Sequence, residues 1–225
     1  MTEMIATVCR GQAIQLLWQP ELEEIEPYMA EGFVPVEMAE GTRTFADHRR
    51  LDHHNDYSDL PSACITALGY YGELAGPKPA KIMVNHADAD CVMTGLTLLG
   101  LLPQELLTEL NRDIGVLDTE PLMAEPEKMK FHDRIRLWME NMNSVKRSGW
   151  SWLYGLQLWL DMFERPEAYQ AALEELAVRE EGRKHVALED YQAGRLGPSG
   201  RTLLIAPSRV RGHDVQFCRQ EGKNP

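Results

Sequence analysis

The stretch "AKIMVNHADADCVMTGLTLLGLL", residues 80–102, narrows the choice of folds more than any other. Ala80, Ile82, Met83 and Val84 make a short, nearly continuous apolar run, the pattern of a strand buried on both faces in a parallel sheet. A polar turn follows at once, and the chain then reads as an apolar helix. Upstream, Pro61 suits the first turn of a helix capped by Ser58 or Asp59, and that helix ends before Gly76-Pro77. Helix, strand, turn and helix in this order predict an α/β fold, with a mainly parallel sheet flanked by helices. In such folds functional groups gather where strands hand over to loops at their carboxyl ends.

The rest of the chain fits around this unit. "MIATVC" (4–9) reads as a buried strand, residues 12–29 as helical or irregular surface interrupted by Pro20 and Pro27, and "GFVPVEM" (32–38) as another strand. "PQELLTELNR" (103–112) reads as a helix, and "DIGVLDTEPL" (113–122) as a short strand ending in Asp118. Residues 131–164 are rich in Trp, Met and Leu. Trp152, Leu156, Trp159 and Phe163 recur at helical spacing, which suits a core-facing stripe or, alternatively, the aromatic wall of a pocket. A charged helix follows over 167–195. "RTLLIAP" (201–207) and "DVQFCRQ" (214–220) then predict a closing β-hairpin, with Arg209, Arg211, His213 and Asp214 in its connection. Residues 1–125 are therefore expected to form an α/β core, on which a helical, Trp-rich segment and terminal strands (126–225) pack as one compact domain.

The net charge of −12 disfavours a broad grip on nucleic acid, short oligonucleotides excepted. It leaves room for a small anionic substrate, because a bound cation can reverse the local field. Cys9, Cys64, Cys91 and Cys218 form no Cys-x-x-Cys pair, which argues against a structural zinc site or a disulfide framework and for a reducing compartment. No apolar run approaches ~18 residues, so no membrane span is expected. The first residues lack the features of a signal peptide. These readings predict a cytoplasmic protein, and a homodimer is compatible with them.

Two polar clusters carry the chemistry. In "IMVNHADAD", His86, Asp88 and Asp90 alternate directly after an apolar strand, so in an extended segment they point the same way. Ligand-type groups so close repel or pay for desolvation unless a cation joins them. Helix capping by one aspartate is the competing explanation. In "RLDHHN", Asp52, His53 and His54 are consecutive. Neighbours in a strand face opposite ways, so one histidine could bind metal while the other faces substrate; a solvated turn is the alternative. Asp118, at the mouth of its apolar segment, is a further candidate acid, though an Asp before Thr is often a turn former.

Together "NHADADCVMTG", "GVLDTEP" and "LDHHN" resemble the DHH phosphoesterase superfamily, over roughly residues 45–122. The order of motifs is rearranged relative to that family, as in a circular permutation. A further family aspartate is not placed, with Asp47 and Asp214 as candidates by residue type. The resemblance implies a divalent-metal-dependent hydrolase that cleaves a phosphoester or phosphoanhydride of a small substrate by metal-activated water. It implies two Mn²⁺ ions, with Mg²⁺, Co²⁺ or Zn²⁺ as substitutes. His86 and Asp88 would hold one ion, Asp90 and His53 the other, and Asp118 would bridge them. Asp52 would orient His53, and His54 would contact a substrate oxyanion. Hydrolysis of an amide or ester is the alternative, favoured by a pocket lined with Trp150, Trp152 and Trp159 and lacking basic groups. A non-catalytic metal-binding domain is the other.

Overall fold

The computed structural model describes residues 2–119 and 124–192, the last ten as backbone. β1 (Glu3–Cys9) and β2 (Gln12–Trp18) form an antiparallel hairpin. Its two-residue turn, Arg10-Gly11, has positive φ at both positions (50° and 80°), which matches the right-handed twist of paired strands. Residues 12–18 are thus a strand rather than the helical or irregular surface expected. Ile14, Leu16 and Trp18 alternate onto one buried face, a period of two that the adjacent Leu17 obscures by burying itself on the other.

α1 (Leu22–Ala30) retains Pro27 in its interior and leads into β3 (Val34–Pro35). A small hairpin follows, β4 (Met38–Glu40) and β5 (Arg43–Phe45). β6 (Ala80–Val84) takes the centre of a four-stranded sheet of order β1-β2-β6-β3, parallel to both β2 and β3. The sheet is mixed: three parallel strands and one antiparallel edge.

Helices follow as α2 (Ala63–Ala67), α3 (Ala89–Leu99), α4 (Gln104–Thr119), α5 (His132–Asn143), α6 (Gly149–Glu164) and α7 (Gln170–Gln192). α4 occupies residues 113–119 of the strand expected at 113–122, whose last three residues lie outside the described residues. Leu107, Leu110 and Ile114 bury themselves at helical spacing, and that period overrides the short β-like run Ile114–Leu117.

α3 is buried along its whole length from Asp90 to Leu99 and packs against α2, α4 and α6. One face of the sheet (Leu16, Trp18, Ile82, Val84) joins these helices in the main core, while Leu17 and Met83 on the other face pack with Ile25 of α1, Phe33 and Phe45. The main core continues into α5 and α6, where Trp138 and Trp159 stack at 5.4 Å. Trp152 and Trp159 are fully buried and Trp150 is exposed. Gly95 is required where α3 meets α6: a Cβ there would lie 2.2 Å from Trp152 Cζ2. The hairpin expected at 201–220, with Arg209, Arg211, His213, Asp214 and Cys218, lies outside the described residues.

Candidate metal centre

The parallel strands β3 and β6 end side by side, and two acidic and imidazole-bearing loops leave from their carboxyl ends. From β3 comes Glu37, which no sequence motif marked. Its backbone sits in the left-handed region (φ 48°). Hydrogen bonds hold it on both sides: Val36 N–H donates to Met83 O at 3.0 Å, and Glu37 N–H donates to Leu51 O at 2.8 Å. The side chain is 1% exposed. One carboxylate oxygen lies 3.3 Å from His53 Nε2 and the other 3.1 Å from His86 Nε2. A single buried carboxylate therefore spans the two histidine clusters that the sequence placed 32 residues apart (86 minus 54).

Around His53, Asp118 Oδ2 lies 2.9 Å and Asp90 Oδ2 3.7 Å from Nε2. Around His86, Asp88 Oδ2 lies 3.3 Å from Nε2, and Asn85 Oδ1 lies 2.6 Å from Nδ1. Asn85 is itself anchored by donating to Ala39 O at 2.7 Å. Its amide oxygen then faces His86 Nδ1–H and leaves Nε2 for the acids, the orientation a metal-binding imidazole needs. Three sets of potential ligand atoms each lie within 4.8 Å of one another: Glu37, His53 and His54; Glu37, His86 and Cys91; and His53, Asp90 and Asp118. These buried Glu, His and Asp groups could hold a metal ion.

The aspartates after β6 divide between helix capping and the His/Glu/Asp cluster. Asp88 Oδ1 caps α3 by accepting from Cys91 N–H at 3.0 Å, and its other oxygen turns to His86. Asp90 lies inside the helix rather than in an extended segment, yet still reaches the cluster. Its carboxylate accepts from Ala63 N–H (2.8 Å) and Cys64 N–H (2.7 Å).

The histidine doublet differs from expectation. The two rings are 4.7 Å apart on the same side of the chain, because residues 51–54 form no strand and are bounded by left-handed residues at Arg50 and Asn55. Asp52 orients His54, not His53: its Oδ1 lies 2.9 Å from His54 Nδ1 and accepts from His54 N–H at 2.8 Å, while Oδ2 is buried without a partner. Asp118 does not lie between the imidazoles. It comes from the last turn of α4 and contacts His53, and the spanning position belongs to Glu37. Asp47 pairs with Arg49 and stands apart from the cluster.

The electrostatics show how the cluster is neutralised by protons. Burial pushes Glu37 up, but hydrogen bonds from His53 and His86 outweigh it and hold its carboxyl at about 2. His53 is raised to about 10 by its hydrogen bonds to Asp118 and Glu37. Burial alone would lower His86, yet hydrogen bonds to Asp88 and Glu37 raise it to about 10. Asp90 is pushed well above the usual carboxylate range by burial and by the Glu37 charge, and burial raises Asp52 as well. Four carboxylates (Glu37, Asp88, Asp90, Asp118) share one small volume with two central imidazoles.

A cavity of about 690 Å³ opens beside the cluster. Its lining includes His54, His86 and Asp88 together with Trp138, Met142 and Arg147. Comparison with protein-family models, curated proteins and solved structures finds no match to the chain. Among the described residues no helix is long and apolar enough to cross a membrane.

Proposed function

We propose that the protein is a divalent-metal-dependent hydrolase of a small phosphorylated substrate, of the kind its DHH-like motifs imply. The observation that carries this reading is Glu37, one buried carboxylate with an oxygen on each of two imidazoles, each imidazole backed by a further aspartate. Such a set is suited to two cations sharing a carboxylate. His53, Asp90 and Asp118 would hold one and His86 and Asp88 the other, with Glu37 common to both. Divalent ions there, Mn²⁺ fitting the oxygen-rich donors, would supply Lewis-acid charge to phosphoryl oxygens and lower the pKa of the attacking water.

The chain's own residues do the rest. Asp52 pairs with His54 Nδ1, and His54 lines the cavity, a dyad able to accept or deliver a proton at the substrate. Arg147, an exposed residue of the cavity lining, can receive an anionic group of a phosphorylated substrate. The bulk of Trp138 and Met142 limits the cavity to a compact substrate. Amide or ester hydrolysis is less well supported. Of the tryptophans that would have lined its pocket, Trp152 and Trp159 are sealed in the core and the exposed Trp150 is not among the cavity's lining residues, which include the basic Arg147.

The test is to remove metal with chelator, restore Mn²⁺ and screen phosphorylated small molecules for released phosphate. Turnover that requires Mn²⁺ and disappears in Glu37→Gln and His86→Ala supports the reading. Metal-replete protein with turnover no greater than those variants refutes it.

A further inference from the structure

The two lobes of the cluster differ in one donor. In the His53 lobe the converging ligand atoms, from His53, Asp90 and Asp118, are imidazole nitrogen and carboxylate oxygen; the nearby Cys64 thiol contacts Asp90 but is not among the atoms that converge. The His86 lobe contains sulfur: the Sγ of Cys91, fully buried in the first turn of α3, is within 4.8 Å of ligand atoms of both Glu37 and His86. We infer that Cys91 is a thiolate ligand in the His86 lobe, making that lobe selective for a borderline-soft cation such as Zn²⁺ or Co²⁺, while the His53 lobe takes a hard one such as Mn²⁺. The inference rests on the reading of the cluster as a metal centre.

Three observations support it. First, the sulfur converges with two donors of other kinds: ligand atoms of Cys91, Glu37 and His86 all lie within 4.8 Å of one another, with Cys91 and Glu37 buried, which is the mixed sulfur, oxygen and nitrogen set of a borderline-soft cation. Second, the fully buried Trp152 indole N–H makes no hydrogen bond of good geometry, and the group it is set against is the Cys91 sulfur, a weak acceptor as a neutral thiol. A buried orphan donor is costly, and a metal-bound thiolate would supply an acceptor of the kind found around metal ligands. Third, Gly95, one helical turn beyond Cys91, makes this approach possible, since any Cβ there would collide with the indole. As found here, the Cys91 S–H points at His86 O at 3.4 Å. Coordination would replace the S–H bond by a sulfur–metal bond and release the proton to solvent. Thiolate donors favour Zn²⁺ and related ions over Mn²⁺ and Mg²⁺, so the centre would be asymmetric.

Cobalt reports this directly. Protein stripped with chelator and loaded with Co²⁺ should show visible ligand-field bands and, in the near ultraviolet, a thiolate-to-cobalt charge-transfer band. Cys91→Ser should keep the first and lose the second, and its Zn²⁺ affinity should fall by roughly 10–100-fold or more while Mn²⁺ affinity changes little. Trp152→Phe should retain the charge-transfer band at shifted energy. Ligand-field bands without charge transfer in the wild-type protein would overturn the thiolate ligand and leave the metal centre standing. No cobalt bands of either kind would overturn both. Should Cys91→Ser fail to fold, the wild-type spectrum and Trp152→Phe still decide the matter.

Discussion

Replacing Glu37 by glutamine keeps the shape of the side chain and removes its charge. In effect the amide is a glutamate held permanently in its neutral form. Ionised Glu37 has its carboxyl lowered from 4.5 to about 2. At about 1.4 kcal/mol for each tenfold change, that difference is worth about 3 kcal/mol, within the range for charge-assisted hydrogen bonds from two imidazolium groups. Metal-free Glu37→Gln should therefore be about 3 kcal/mol less stable at pH 7, which lowers the melting temperature by roughly 6–12 °C for a chain of this size. The effect has its own pH signature. A depressed carboxyl contributes stability above its unfolded value of 4.5 and loses it as pH falls toward about 2. The difference between wild type and variant should accordingly be full at pH 5–6 and shrink toward zero as acid protonates Glu37 itself. Urea unfolding in chelator at pH 7, 4 and 3 measures this. A difference below about 1 kcal/mol at pH 7, or one that does not change with pH, would refute the placement of an ionised carboxylate between two charged histidines.

Other outcomes follow from the same geometry. His53 and His86, raised from 6.5 to about 10, contribute stability that is complete below pH 6.5 and lost as pH rises toward 10. Metal-free protein should thus melt progressively lower across that window in calorimetry, while Mn²⁺ binding tightens by up to about tenfold per pH unit for each imidazole that must shed its proton. A parallel rather than opposite trend would count against shared residues. His54→Ala should lower kcat by roughly 10²–10⁴-fold while bound metal, read by elemental analysis, stays near wild type, and Asp52→Asn should show a smaller loss of the same kind. Arg147→Ala should raise KM for an anionic substrate with little change in kcat, as steady-state kinetics will show. Gly95→Ala should cost about 1–3 kcal/mol through its collision with Trp152, measured by denaturant midpoint.

The unit around β6 was readable because its signals are local and strong: a short apolar run, two alternating acids with a histidine, and a long apolar helix. Asp118 was read in the wrong element but brought to the right neighbourhood. Ile114–Leu117 looks like a strand in a short window, and only the longer period from Leu107 shows the helix. Gly115 then lets α4 approach α2 closely, since a Cβ there would lie 2.5 Å from Ile65 Cδ1, and α4 ends with Asp118 on His53. The histidine doublet misled because alternation was applied to a segment that is not a strand. In "RLDHHN" Asn55 is of a type that tolerates the left-handed region, but nothing local announces it at Arg50.

Glu37 is the instructive omission. It is one of 35 acidic residues and belongs to no spaced motif. Its one mark is position: a charge between Val36 and Met38, both buried. In a regular strand those two side chains would share one face and Glu37 would take the opposite one. The left-handed turn at φ 48° breaks that alternation and aims all three inward. Such a backbone costs a non-glycine residue of order 1–3 kcal/mol, which glycine would avoid. Against that stands the roughly 3 kcal/mol that the two imidazoles return to the ionised carboxylate, so strain offsets a third or more of the ion pairing while protons hold the cluster together. The position thus gains less for stability than its ion pairs alone would give. A carboxylate held there against backbone strain makes better physical sense if it serves a task that needs an anion fixed between two nitrogen donors, and binding cations between them is such a task.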